Sequence, residues 1–304
     1  MEKFEVSILG CGSALPTLKH YPSSQVVNVR EKLFMVDCGE GTQLQLRKSR
    51  LRFNKLQAIF ISHLHGDHCF GLIGLLSTFS LLGRTSDLHI YAHKDLENIL
   101  DNLLGYFCKG MSYNVVFHKV DTTQFAPVYE DRSVTIYSVP LRHRVPCCGY
   151  LFVEKPTLPH IKRDMIDFYG IPTYAINNIK AGSDWTTDDG RCIPNSVLTY
   201  PAEAPRKYAY CSDTLYFPEI TSFIQGVDLL YHEATYASEY EAQAVQRFHS
   251  TARQAAMVAR DSGAHKLMIG HYSARYDDET PLLVEAKSVF PNTILSNELM
   301  TVTV

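Results

Sequence analysis

Three histidines and an aspartate stand within six positions in "HLHGDH", as His63, His65, Asp67 and His68. An apolar run at 56–61 comes immediately before them. On the loop after a strand, residues two apart project the same way, so His63 and His65 share a side. Gly66 permits the sharp turn that brings Asp67 and His68 round to face them. Imidazole nitrogen and carboxylate oxygen together suit zinc or a neighbouring transition metal. Four such groups crowd one tetrahedral ion. Two ions dividing them are the simpler arrangement, and that requires further ligands from elsewhere in the chain.

Three residues qualify, each at the end of an apolar strand: His143 in "VTIYSVPLRH", Asp213 in "KYAYCSD" and His271 in "HKLMIGH". Ligands of open α/β sheets collect outside the carboxyl ends of the strands, so groups placed there converge along one rim. A lone strand-end histidine is ordinarily a satisfied polar residue. The cluster at 63–68 gives each of these three a reason to be a ligand. His20, His93, His118 and His160 lack that support and stay outside the set.

The elements that must hold these residues are legible as alternating patterns. Apolar, β-branched runs such as "FEVSIL", "LQAIFIS", "VTIYSVPL" and "VDLLYHE" are separated by helical patterns at 69–82, 94–105, 251–262 and 280–288. That alternation predicts sheets buried between helices. Residues 155–196 break the rhythm with several prolines and few periodic apolar positions. They read as an arm-like insertion in an otherwise single domain spanning 1–304.

The bulk composition excludes some functions. Of 304 residues, 45% are hydrophobic and 20% charged, ordinary for a globular chain. A net charge of −3 sets up no global basic field for nucleic acid. The run "RKSRLRFNK" at 47–55 is the local exception, either a solvated loop or a rim for phosphate. "MEKFEVSILG" reads as a strand rather than a signal peptide, and the longest apolar stretch is too short for a bilayer, so no membrane role is expected. Eight cysteines with no CxxC pair point to a reducing, cytoplasmic setting.

With these motifs the chain resembles the metallo-β-lactamase superfamily, marked by His-x-His-x-Asp-His, and within it the ribonuclease Z family. The likeness runs nearly end to end through "GCGSALPT", "VDCGEGTQLQL", "IFISHLHGDHCFGLIGLLS", "SDT", "HEAT", "FHSTARQAA" and "GHYSARY". It implies an α+β fold, a four-layer αβ/βα sandwich, with two Zn(2+) per subunit between the sheet edges. His63, His65 and His143 would hold one ion; Asp67, His68 and His271 the other; Asp213 would bridge. The implied activity is hydrolytic: an endoribonuclease removes 3′ trailers from precursor tRNA, leaving a 3′-hydroxyl on the tRNA and a 5′-phosphate on the trailer. The family also implies a homodimer, the arm of one subunit clamping tRNA on the other.

Hydrolysis of a phosphodiester needs an activated water and a protonated leaving oxygen. Asp67 is the expected proton acceptor and His249 the expected general acid. Thr251 and Gln254 form a capping box, so a helix begins just after His249 and its positive end favours the imidazolium. Glu233 of "HEAT" would orient that ring, and Asp37 would support the metal-bound histidines. Ser212, Thr214, Ser273 and Arg275 are expected near phosphate, Arg275 foremost because guanidinium matches phosphate oxygens two at a time. Two positions depart from the family pattern. His20 stands where the family carries an Arg, and Lys19 beside it would take over the phosphate contact. The Gly/Pro-rich run of the arm reads "GIPTYAINNIKAG". These departures keep open an alternative, a generalist dizinc phosphodiesterase acting on small or cyclic phosphodiesters.

Overall fold

A computed structural model describes residues 2–304. Two seven-stranded sheets carry the fold. The first runs Thr301–Thr303, Phe4–Gly10, Ser24–Val29, Lys32–Val36, Leu56–Phe60, Leu88–Ala92 and Val115–Lys119 in spatial order, parallel from Lys32–Val36 onward. The second runs Thr293–Leu295, Lys266–Gly270, Leu229–Glu233, Lys207–Cys211, Cys148–Glu154, Val134–Pro140 and Ala126–Glu130. Its first four strands are parallel to one another.

Burial on both faces explains why the strands read as continuous apolar runs. Within Leu56–Phe60, Ala58 and Phe60 face the second sheet, where Phe60 packs edge-on against Tyr150 and Phe152. Ile59 belongs to a separate cluster with Leu46, Leu76 and Leu96 from the helices Thr42–Lys48, Leu72–Leu81 and Asp95–Phe107. Helices Ala252–Asp261 and Thr280–Lys287 pack against the second sheet through Ala255, Ala259 and Leu282. The layers are therefore helix, sheet, sheet, helix. Among the described residues no helix is long and apolar enough to cross a membrane.

The helix expected at 69–82 is divided. A single turn spans Gly66–Cys69, and the helix proper is Leu72–Leu81. At the break, Gly71 N donates to Cys38 O at 2.9 Å, and a Cβ on Gly71 would lie 2.0 Å from Gly39 O. Backbone contact with the "GEGTQ" turn holds the 63–71 loop and interrupts the helix.

Residues 154–205 cluster as a compact unit of their own, running on to Pro205 where the sequence pattern suggested an end at 196. The unit contains helices Arg163–Phe168, Thr173–Lys180 and Asn195–Leu198 and two short ribbons, His160–Ile161 with Thr199–Tyr200 and Trp185–Thr186 with Cys192–Ile193. Its small core is Ile171, Ala175, Ile179 and Leu198. Ala175 and Ile179 keep i, i+4 spacing, a pattern too brief to stand out among the prolines.

Candidate metal centre and its cavity

The ends of four strands meet at one place. His63 follows Leu56–Phe60, His143 follows Val134–Pro140, Asp213 follows Lys207–Cys211 and His271 follows Lys266–Gly270. Their ligand-type atoms form two sets of four, His63, His65, His143 and Asp213, and Asp67, His68, Asp213 and His271. Asp213 belongs to both, Oδ2 turned to the first set and Oδ1 to the second. In the first set, His65 Nδ1 lies 3.0 Å from His63 Nε2 and 3.2 Å from His143 Nε2. In the second, Asp67 Oδ2 lies 3.3 Å from both His68 Nε2 and His271 Nε2, and His271 Nε2 lies 3.2 Å from Asp213 Oδ1. Nitrogen and oxygen ligands about 2.0–2.1 Å from a tetrahedral ion sit about 3.3 Å apart. The observed spacings match.

His68 Nε2 and Asp213 Oδ1 are shielded from solvent and have no hydrogen-bond partner. Buried polar atoms are nearly always partnered. These two fit a cation shared between them and their neighbours.

The opposite ring nitrogen of each Nε2-facing histidine is anchored, which fixes its lone pair toward the centre. His68 Nδ1 donates to Asp37 Oδ2 at 2.7 Å, and His63 Nδ1 donates to Ser62 Oγ at 3.0 Å. His143 Nδ1 donates to Phe248 O at 2.9 Å, and His271 Nδ1 to Thr235 Oγ1 at 2.8 Å. Asp37 itself is fully buried and also accepts from Ser62 N, Ser62 Oγ and Tyr210 OH. Ser62, Tyr210 and Thr235 carried no signal in the sequence: Ser62 and Thr235 stand within motifs, but a lone hydroxyl there has many other uses. The meeting of the strand ends brings them in.

Charge at the centre is negative before any ion is added. Burial would raise the Asp213 carboxyl, yet His271 and His68 hold it well below the usual carboxylate range. Burial would likewise raise Asp67, and His68 overcomes that to lower it. Burial pushes His63, His65 and His143 down from the ordinary imidazole range. His68 moves the other way: Asp213, Asp67 and Asp37 outweigh its burial and raise it. Ionised carboxylates facing mostly neutral imidazoles make a cation trap.

A cavity of about 630 Å³ opens onto the centre, lined by His65, Asp67, Asp213, His249 and His271 among others. Glu233 is fully buried and accepts five hydrogen bonds, from Thr214 N, Ser250 N, Thr235 N, Thr235 Oγ1 and His249 Nδ1. The expected capping box is present at Thr251 and Gln254, at the start of the helix after His249. Ser273 and Arg275 line the cavity; Arg275 stacks over Tyr236 and Tyr240. Arg144 and Arg247 line it too and were missed, since isolated arginines near motifs resemble solvated charges.

Three expected phosphate contacts lie elsewhere. Thr214 is buried, its hydroxyl accepting from Arg142 N and donating to Leu215 O. Ser212 Oγ meets Ser62 Oγ in the interior. Lys19 Nζ is held by Glu279 and by Asp277 O, away from the cavity lining. The 47–55 cations do not line the cavity either.

Comparison with known proteins agrees with this geometry. The family model "Anti-Pycsar protein Apyc1" matches residues 4–146. The chain is 60% identical over 298 residues to Ribonuclease Z of Bacteroides fragilis, covering 98% of each chain. Human tRNase Z, short form, is similar in structure with TM-score 0.72 and 25% identity, covering 98% of each chain. The metallo-beta-lactamase fold protein YhfI from Bacillus subtilis has TM-score 0.70 and 20% identity, covering 100% of each chain. The two mixed sheets with their outer helices are the α+β sandwich of that fold.

Proposed function

The chain belongs to the ribonuclease Z family, and on that premise we propose that it cuts precursor tRNA at the 3′ end of the mature sequence, with two zinc ions per subunit. The observation that carries this reading is the pair of four-ligand sets joined through Asp213, with its unpartnered buried atoms. His63, His65 and His143 would hold one ion, Asp67, His68 and His271 the other, and Asp213 both. Such a pair supplies an acidified water and neutralises phosphate charge.

The remaining work falls to the protein. Asp67 keeps Oδ2 toward His68 and His271 and has Oδ1 left to accept the proton of the attacking water. Glu233 holds His249 through Nδ1, leaving Nε2 to donate to the ribose 3′-oxygen as it departs. Arg144, Arg247, Arg275 and Ser273 line the cavity and would bind phosphates, the guanidinium groups two oxygens at a time. The products would be a 3′-hydroxyl on the tRNA and a 5′-phosphate on the trailer.

The compact 154–205 unit is our candidate for binding tRNA away from the cut, and it exposes Phe168 and Tyr174. A homodimer in the cytoplasm belongs to the same reading, and the apolar groove lined by Phe70, Ile73, Ile99 and Leu103 is our candidate for the contact of a second copy. Cleavage of a tRNA precursor beside a chromogenic small diester tests the reading, with elemental analysis of the same sample. Precursor cleavage with two zinc ions per chain is expected. Diester hydrolysis without precursor cleavage would defeat the tRNA assignment, and two irons without zinc would defeat the metal assignment.

A further inference from the structure

His20 has no part in the chemistry above, yet it stands in another cluster of ligand-type atoms. Cys11, His20 and Glu298 meet where the loop after the first strand folds against the segment leading to the last. Cys11 Sγ lies 3.3 Å from His20 Nδ1 and 3.6 Å from Glu298 Oε1, and His20 Nδ1 lies 2.9 Å from Glu298 Oε2. Cys11 is fully buried and His20 is 8% exposed. We propose that these three side chains form a further cation site for zinc or a chemically similar divalent ion, sharing no residue with the centre at 63–68.

Three features support it. Zinc binds thiolate at about 2.3 Å and imidazole or carboxylate at about 2.0–2.2 Å, so tetrahedral neighbours lie about 3.3–3.6 Å apart. The two sulfur separations, 3.3 and 3.6 Å, fall there, and the 2.9 Å between His20 Nδ1 and Glu298 Oε2 would widen slightly to admit the ion. The second ring nitrogen, His20 Nε2, donates to Glu279 Oε1 at 3.1 Å. That is the carboxylate–histidine pairing that orients metal-bound imidazoles. Charge also balances. A Cys11 thiolate, Glu298 and Glu279 set against Lys19 leave two negative charges, which one divalent ion cancels. The Ser296 carbonyl, 3.5 Å from Sγ, or a water completes the shell.

A proton is the competing occupant. It would make His20 an imidazolium donating to both glutamates, and Cys11 would stay a thiol donating to Ser296 O or Glu298. The two states differ at sulfur, since only the metal takes a thiolate. Either would tie the loop to residues 296–298. Ser13, Ala14 and Leu15, which line the cavity, follow Cys11 closely, so the metal would staple one cavity wall.

The test replaces the bound metal with Co(II) in the full-length protein. Sulfur ligation gives an intense thiolate-to-cobalt band in the near ultraviolet, which a centre of histidines and aspartates cannot give. The band is expected in the wild type and absent from Cys11→Ser and His20→Arg, each variant holding one metal equivalent fewer. His20→Arg serves if Cys11→Ser fails to fold, because a guanidinium can pair with both glutamates without binding a metal. Cys69→Ser, whose sulfur lies beside the 63–68 loop, is expected to keep the band. A wild type without the band and with the metal content of His20→Arg overturns the proposal in favour of the proton. A band lost only in Cys69→Ser overturns it as well. Neither result touches the precursor-cleavage assay or the two-ion centre.

Discussion

Glu233 Oε1 and His249 Nδ1 lie 3.0 Å apart, and the carboxylate is held by four other hydrogen bonds that leave it no other orientation. Burial alone would lower the His249 pKa, but Glu233 foremost, with Asp213 and Asp67, lifts it to about 9. The ring is therefore cationic up to about pH 9, which a proton donor requires. The alkaline limb of kcat for precursor cleavage is expected near that value. In Glu233→Gln it should move down toward the ordinary imidazole range of about 6.5. The raised pKa also has a stability consequence: the contribution is full below about pH 6.5 and is lost as pH rises through about 9. An alkaline limb that stays put in Glu233→Gln would detach Glu233 from proton donation.

Removing the imidazole itself separates donation from metal binding. His249 lies outside the two four-ligand sets joined by Asp213. His249→Ala should retain its metal by elemental analysis and lose about 10²–10⁴-fold in kcat, the usual contribution of a positioned acid. A trailer with a better leaving group should recover part of that loss. Unchanged turnover would remove His249 from the mechanism.

Asp37 acts on the centre without facing the cavity. Its carboxylate fixes His68 directly and His63 through Ser62 Oγ. The backbone at Asp37 has φ 58°, a conformation that Asn tolerates, so Asp37→Asn changes the charge with little strain. Metal affinity is expected to fall about 10–100-fold, as for other changes behind a histidine ligand. Competition with a chelator measures it, and an affinity equal to that of the wild type would reduce Asp37 to a packing role.

How much of this centre could be read beforehand depended on where each residue sits in the chain. His63 to His68 declare themselves because the density of one residue type in a short loop has few other uses. Asp213 and His271 could be named because parallel strands bring their carboxyl ends together whatever the loops between them do. His143 could be named only as a strand-end residue, since its strand lies in the antiparallel part of the sheet. Ser62, Thr235 and Tyr210 could not be named. A serine, a threonine and a tyrosine have many uses, and only the meeting of strand ends from the two sheets puts them in reach of the centre, as where Tyr210 OH donates to Asp37. Lys19 and Thr214 show the opposite case. Nearness in sequence suggested phosphate contacts, but the nearest partners are Glu279 and the local backbone.

Arg144, Arg247 and Arg275 line the cavity without entering either four-ligand set. Each replaced by Ala should raise KM for precursor tRNA several-fold and change kcat little, because phosphate is bound in ground and transition states alike. Arg275→Ala also frees Gln243 Oε1 and uncovers Tyr236 and Tyr240, so its effect should be the largest. Equal loss in kcat and kcat/KM at any of the three would assign that arginine to the transition state instead.

Gly71 and Gly39 set how closely the metal-bearing loop can approach the turn that supports it. A Cβ on Gly71 would stand 2.0 Å from Gly39 O, and one on Gly39 would stand 2.5 Å from Asp67 O. Both opposing atoms are backbone, so no side chain can rotate away. The loop or the turn must move, and Asp67 and His68 move with it. Gly71→Ala is expected to cost about 1–3 kcal/mol of stability, the range for overpacking a tight interior. It should also weaken metal binding, since the ligand spacings near 3.3 Å leave little tolerance. Gly83→Ala is the matching control. Its Cβ meets nothing within 4 Å, although φ of 77° adds local strain. Thermal melts with and without chelator separate the two effects. A Gly71→Ala protein that melts and binds metal like the wild type would mean the turn gives way freely, and the close approach would then have no part in positioning Asp67.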